Sequence, residues 1–256
     1  MIKKRIIGVI TVIDNWAVQS IGYKKYLPLG KPSVIAKNLE NWGADEIYIS
    51  CIDRSKNKSG PDFKLLEIIS KLSLSTPLIY GGGISSIKDA ELCIQMGSER
   101  IVIDSVINHN YDSIKGISNK LGSQSIIAGI PLTLIENKLF WFDYLTKKNK
   151  NDFSIINKLA NENLISEFFL IDKENEGKKN SFERKLFELF PIKNKPIILF
   201  GGISEVSQMK DLFVEENISS IGIGNFLNYK EHMIQTYKKQ LNLPELRKPY
   251  FNSDIN

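Results

Sequence analysis

A (βα)8 TIM barrel, an α/β fold built here from two repeated half-barrels, is predicted by three observations. The segment Pro77-Leu-Ile-Tyr-Gly-Gly-Gly-Ile-Ser85 returns as Pro196-Ile-Ile-Leu-Phe-Gly-Gly-Ile-Ser204. Two more pairs keep the register: Arg5-Ile-Ile-Gly8 with Ser125-Ile-Ile-Ala128, and Glu46-Ile-Tyr-Ile-Ser50 with Glu167-Phe-Phe-Leu-Ile171. A repeat of about 120 residues holding several strand–helix units divides one ring of strands into halves at about 1–122 and 123–243. Third, short β-branched runs alternate with segments of helical period, and the 256 residues match the roughly 250 that such a barrel needs.

The β-branched runs place strands at 5–12, 46–52, 77–81, 100–104, 125–130, 167–171, 196–200 and 218–223. Helical periodicity fills 32–43, 61–73, 86–97, 110–121, 152–163, 181–190, 205–216 and 229–241. Ser86 and Ser204 stand as N-caps, and Gly43, Gly97 and Gly122 as helix stops. Residues 12–31 read as a long polar and aromatic loop, a lid on the carboxyl side of the first strand. Its repeat-mate, 132–144, reads as a β-hairpin around Glu136-Asn137-Lys138. Trp16 and Trp141 lie in these two lids and are expected to cover the substrate, whereas Trp42 reads as core. Residues 244–256 lack periodicity and read as a C-terminal surface arm on a single domain spanning 1–243.

Composition narrows the function. The hydrophobic fraction is 42%, the charged fraction 25%, and the net charge of +5 is spread along the chain. No aromatic-interleaved basic stripe accompanies it, so nucleic-acid binding is not expected. No run of eighteen apolar residues exists, so a membrane span is not expected either. The two cysteines, Cys51 and Cys93, and the absence of a leader point to the cytosol. His109 and His232 read as surface residues, and Cys51 as a small buried hydrophobe. No cluster has metal-ligand spacing, so neither a metal nor a cofactor is expected.

Two features carry chemistry. Each half ends a strand in glycines that run straight into a helix, where backbone N–H groups can approach a phosphate or where glycine merely permits a tight turn. The loops at Gly82-Gly83 and Gly201-Gly202, completed by Asp104-Ser105 and Ile223-Gly224, suggest a substrate with two phosphates at opposite ends. At the other end, Arg5, Glu46, Arg100 and Glu167 each open a strand and so meet at the amino mouth of the barrel. There they form either a stabilising plug or a gate.

The pattern Lys4-Arg-Ile-Ile7, Gly43-Ala-Asp-Glu46, Pro77 to Ile84, Gly122-Ser-Gln124, Glu167 and Gly201-Gly202 resembles the cyclase subunit of imidazole glycerol phosphate synthase, from about Lys4 to Tyr237. The resemblance implies a cytoplasmic lyase- or amidotransferase-type synthase subunit in a heterodimer with a glutaminase. That partner would dock on the amino-terminal face, near Glu99. Arg5, Glu46, Arg100 and Glu167 match the family's ammonia gate, which favours a gate over a plug. Gly83, Asp104 and Ser105 match one phosphate site, where the family carries asparagine and threonine at the last two positions. Gly177, Gly202, Ile223 and Gly224 match the other, with Gly224 in place of a serine.

Departures fall at the chemistry. The family's two acid–base aspartates are Thr11 and Pro131 here, at matching places in the two halves, and neither can shuttle a proton at neutral pH. Gln19, Cys51 and Ile171 also replace family residues. Glu176 and Asp172 become the first candidates for acid–base work, followed by Asp14, Asp53 and Glu174. A retained gate with an altered upper face resembles the divergent relatives paired with glutaminases in surface-polysaccharide synthesis, which aminate a phosphorylated or nucleotide-linked sugar. The alternatives are the histidine-pathway cyclase itself and a non-catalytic barrel that binds and activates the glutaminase.

Overall fold

The computed structural model describes residues 3–228 and 232–249. Twelve strands occur among them: β1 (Arg5–Ile13), β2 (Trp16–Ile21), β3 (Lys25–Gly30), β4 (Glu46–Cys51), β5 (Leu78–Gly81), β6 (Arg100–Ile103), β7 (Ile126–Ile135), β8 (Lys138–Asp143), β9 (Lys148–Lys150), β10 (Glu167–Asp172), β11 (Ile197–Phe200) and β12 (Ile218–Ile223). Eight of them pair in parallel in the order β1-β4-β5-β6-β7-β10-β11-β12. The ring closes where β12 meets β1, with Arg5 opposite Ser220. The expected barrel is therefore present, with helices between its strands. Every barrel strand lies within a few residues of its expected place because β-branched runs buried on both faces leave little room for another reading.

Side chains alternate between two cores. Outward residues such as Ile6, Ile47, Ile101, Ile126, Phe168 and Ile221 pack against the helices. Inward residues form a separate cluster that fills the axis. Ile7, Ile79, Ile127 and Ile198, from alternate strands, make one layer; Tyr48, Val102 and Phe169, with Gly222, make the next toward the carboxyl end. Layers drawn from alternate strands are how such barrels fill their interiors. The Phe169 ring meets Tyr48 edge-on at 5.3 Å and stacks on Phe200 at 5.6 Å.

The helix ends follow the sequence in part. Ser86 caps Ile87–Gln95 in a reciprocal capping box with Asp89. At Gly43 and Gly97 the chain takes positive φ, and paired backbone bonds close both preceding helices. Ser204 is not a cap: its hydroxyl accepts the Asn180 N–H, and the helix Val206–Phe213 starts without a side-chain cap. A short helix, Ser105–His109, was not expected and follows directly on β6. The last helix runs Met233–Leu241, and residues 229–231 of its expected range lie outside the described residues.

Three further expectations need correction. Residues 12–31 are not a loop. Two-residue turns with positive φ at Asp14-Asn15 and Glu136-Asn137 fold both lids back as antiparallel hairpins on extended barrel strands, β1–β2–β3 and β7–β8–β9. Trp141 does not cover the top of the barrel. It is buried in the outer core and donates its indole N–H to the Asp152 carbonyl at 2.9 Å, while Trp16 is exposed. The tail is also not wholly a surface arm, since Leu246 is buried in the core; 250–256 lie outside the described residues.

Candidate functional site

Strand starts place the four charged residues together. Arg100 on β6 donates to Glu46 on β4 and to Glu167 on β10. Arg5 on β1 lies 2.5 Å from Glu167 and 3.5 Å from Glu46, which closes an alternating ring of four ion pairs. Two residues missed in the sequence complete it. Ser220 accepts the Arg5 Nε–H at 2.8 Å, and Ser219 donates to Glu167 at 2.8 Å. Ser220 lies on the inward phase of β12 with Gly222, so period-two counting would have found it.

The two glutamates are not equivalent. Burial raises Glu46 above the usual carboxylate range despite Arg100 and Arg5. For Glu167 burial acts in the same direction, but both arginines and the Arg100 and Ser219 hydrogen bonds outweigh it and lower the carboxyl. Glu99 beside the ring is exposed on the amino end and accepts the Leu78 N–H at 2.5 Å.

At the carboxyl end a cavity of about 330 Å³ opens above Tyr48 and Val102. Its aromatic wall comes from both lids: Tyr23 and Tyr26 from the first, Phe142 and Tyr144 from the second. Lys24, Lys56, Lys147 and Lys173 line it as well, which suits an anionic ligand. Burial, with Glu176 and Asp104 nearby, pushes the Tyr23 and Tyr144 hydroxyls well up, so both are hydrogen-bond donors at neutral pH. Cys51 is a buried neutral thiol on this wall, raised by burial to about 12.

The glycine loops occupy matching places. Gly83 and Gly202 share φ of 74°, and Gly82 and Gly201 also have positive φ. A Cβ would strike the Gly60 carbonyl at Gly83 and would stand 2.6 Å from Ser181 Oγ at Gly202. Backbone crowding therefore demands glycine here whether or not a phosphate binds. Gly82 and Asp104 reach the main cavity, and the Gly83 N–H is taken by Ser55 Oγ at 3.1 Å. Ser105 lies beside Pro131 in an adjoining crevice that Asp104 shares. Gly177, Gly201, Gly202 and Gly224 gather around a second pocket of about 10 Å³, room for one water; the Ile223 side chain instead joins the outer core.

The sequence-derived acid–base candidates each have partners within the protein. Asp172 is buried and accepts from the Asn175 N–H, the Asn175 amide and the Glu183 N–H, so it holds its own loop. Glu176 accepts from Ser20 Oγ at 2.9 Å and the Tyr23 N–H at 3.2 Å, tying the first lid to the sixth loop. Burial raises both carboxyls. Asp53 receives the Asp14 N–H, and Glu174 pairs with Lys173. Gln19 lies on β2 opposite Leu27. His109 faces Asp143 at 3.3 Å. Thr11 and Pro131 sit toward the carboxyl ends of the parallel-paired parts of β1 and β7, opposite Ser50 and Ile171. Among the described residues no three His, Cys, Asp or Glu side chains converge to hold a metal ion, and no helix is long and apolar enough to cross a membrane.

A family model described as "Histidine biosynthesis protein" matches residues 5–233. The chain is 29% identical over 247 residues to the imidazole glycerol phosphate synthase subunit HisF of Staphylococcus saprophyticus, covering 94% of this chain and 97% of that protein. It is 25% identical over 244 residues to the putative imidazole glycerol phosphate synthase subunit hisF2 of Vibrio vulnificus, covering 94% and 89%. The putative subunit hisF2 of Pseudomonas aeruginosa is 24% identical over 241 residues, covering 91% of this chain and 94% of that protein.

Proposed function

Because the chain belongs to the histidine biosynthesis protein family, we propose that it is the synthase subunit of a glutamine amidotransferase. Ammonia released by a glutaminase docked on the amino face, with Glu99 at its contact, would enter past the ring of Arg5, Glu46, Arg100 and Glu167. Its nitrogen would be added to a phosphorylated small molecule in the 330 Å³ cavity at the opposite end. The observation that carries this reading is the closed ionic ring at one end of an axis whose other end opens into a cavity lined by lysines. Gly82 at the cavity would face one anionic end of the substrate, and the pocket at Gly177, Gly201, Gly202 and Gly224 would have to widen to take the other.

The names of the relatives favour imidazole glycerol phosphate as the product. One observation favours amination of a nucleotide-linked surface sugar instead: Thr11 and Pro131 stand where the resemblance expects a pair of proton-transferring aspartates. Complementation separates the two. Growth without histidine of a strain lacking its own cyclase supports the first product. Failure to grow, with nitrogen from ammonium entering a nucleotide-linked sugar in vitro, supports the second. No nitrogen transfer to either would refute the synthase reading.

A further inference from the structure

We propose that Asp104, rather than Glu176 or Asp172, is the proton-transferring residue of this barrel, an inference that rests on the synthase reading above. Three observations carry it. Among the described residues lining the main cavity Asp104 is the one carboxylate, and it lies at the top of β6 in phase with the inward residues Arg100 and Val102. It also lines the crevice that reaches Pro131, one of the two positions where the resemblance places an acid–base aspartate. The rival carboxylates lie away from this cavity: Asp172 bonds Asn175 and Glu183 in its own loop, and Glu176, bonded by Ser20 and Tyr23, lines the small second pocket instead.

Its surroundings suit the task. Tyr48 from β4, Tyr144 just past β8 and Lys173 just past β10 line the same cavity, and Asp143 of β8 lines the crevice with it. Burial raises the carboxyl, the Ser105 hydrogen bonds pull it down and Asp143 adds to the rise, so the net move is toward the working pH. Asp104 also caps the short helix that follows β6 by accepting the Ser105 N–H. In the reaction, the ammonia lone pair bonds to an electrophilic carbonyl carbon and the C=O π pair moves to oxygen. The ammonium N–H proton passes to the Asp104 carboxylate, and the resulting acid returns it to that oxygen. Ammonia plus carbonyl becomes a carbinolamine, and Asp104 ends as it began.

The test is Asp104→Asn, which keeps a side-chain acceptor for Ser105 and restores the residue that the resemblance expects. Wild type and variant are assayed with ammonium chloride on the imidazole glycerol phosphate precursor and on a nucleotide-linked keto sugar, using whichever wild type aminates. The expected result is a loss in kcat of about 100-fold or more with KM little changed, and disappearance of the acid limb of the pH profile. Asp104→Glu should keep that limb. Equal or faster turnover by Asp104→Asn would overturn the proposal and make the residue a mere substitution at a phosphate site. If wild type aminates neither acceptor, the synthase reading itself fails and takes the proposal with it.

Discussion

Replacing Arg100 by methionine removes the guanidinium that bonds both Glu46 and Glu167 in the barrel mouth. The side chains involved are 13% and 8% exposed, so solvent cannot take over its work. Arg5 remains, 2.5 Å from Glu167 and 3.5 Å from Glu46, and one cation must then serve two buried carboxylates. Breaking a buried charge network by deleting one partner costs about 3–5 kcal/mol. At about 2–4 °C per kcal/mol for a chain near this length, the melting temperature should fall by roughly 6–20 °C.

The pH dependence has a definite sign. Glu46 is already raised in the native ring, and losing Arg100 raises it further. A carboxyl whose folded value lies above its unfolded value is tolerated when protonated and penalised when ionised. The deficit of Arg100→Met should therefore be smallest at the acid end and grow as pH rises through the folded value. Replacing all four ring residues by apolar ones of similar volume removes the desolvation penalty too, so most of the lost stability should return. Thermal unfolding followed by circular dichroism between pH 5 and 8 checks both. A fall of less than about 2 °C, independent of pH, would refute the account of a mutually dependent ring.

Gly83→Ala forces a side chain into positive φ against the Gly60 carbonyl, so it should destabilise by about 1–3 kcal/mol in a denaturant titration. Cys51, buried and raised to about 12, should resist iodoacetamide at pH 8 in the native protein and react once the chain is unfolded; rapid native labelling would contradict its place on the barrel wall. Burial alone would raise Asp143, but hydrogen bonds from Thr146, His109 and Leu145 hold it down at about 2. The stability it contributes is present above the ordinary aspartate value near 4 and lost as pH falls toward 2, so Asp143→Asn should flatten the unfolding curve in that window.

The barrel was legible because its evidence is doubled: each glycine-ended strand has a mate, and inward and outward faces are both apolar. The ring was legible for a related reason, since a charge at the first position of a buried strand has few places to go. The first lid was not, because Lys25-Tyr-Leu-Pro-Leu-Gly30 is mostly exposed and carries a proline and a glycine, which disguise β3 as a loop. Ser204 resembles a cap by its position, yet the Asn180 N–H from a distant loop claims its hydroxyl. Trp141 resembles a lid residue until the return strand β9 and the Asp152 carbonyl enclose it, and neither is adjacent in sequence. For the catalytic carboxylates, strand ends could be counted but not side-chain partners. Asp172 and Glu176 were placed by strand end alone, and their bonds to Asn175 and Ser20 could not be read there; Asp104, matched by resemblance to a phosphate site, lines the cavity.

In the proposed reaction nitrogen enters at the ionic ring and reacts at the opposite end. The most direct test mixes the barrel, its glutaminase and the acceptor with 15N-amide glutamine in a large excess of unlabelled ammonium chloride, and measures the isotope in the product. Passage through the barrel predicts product labelled almost wholly with 15N; label diluted to the ratio of the bulk solution would contradict it.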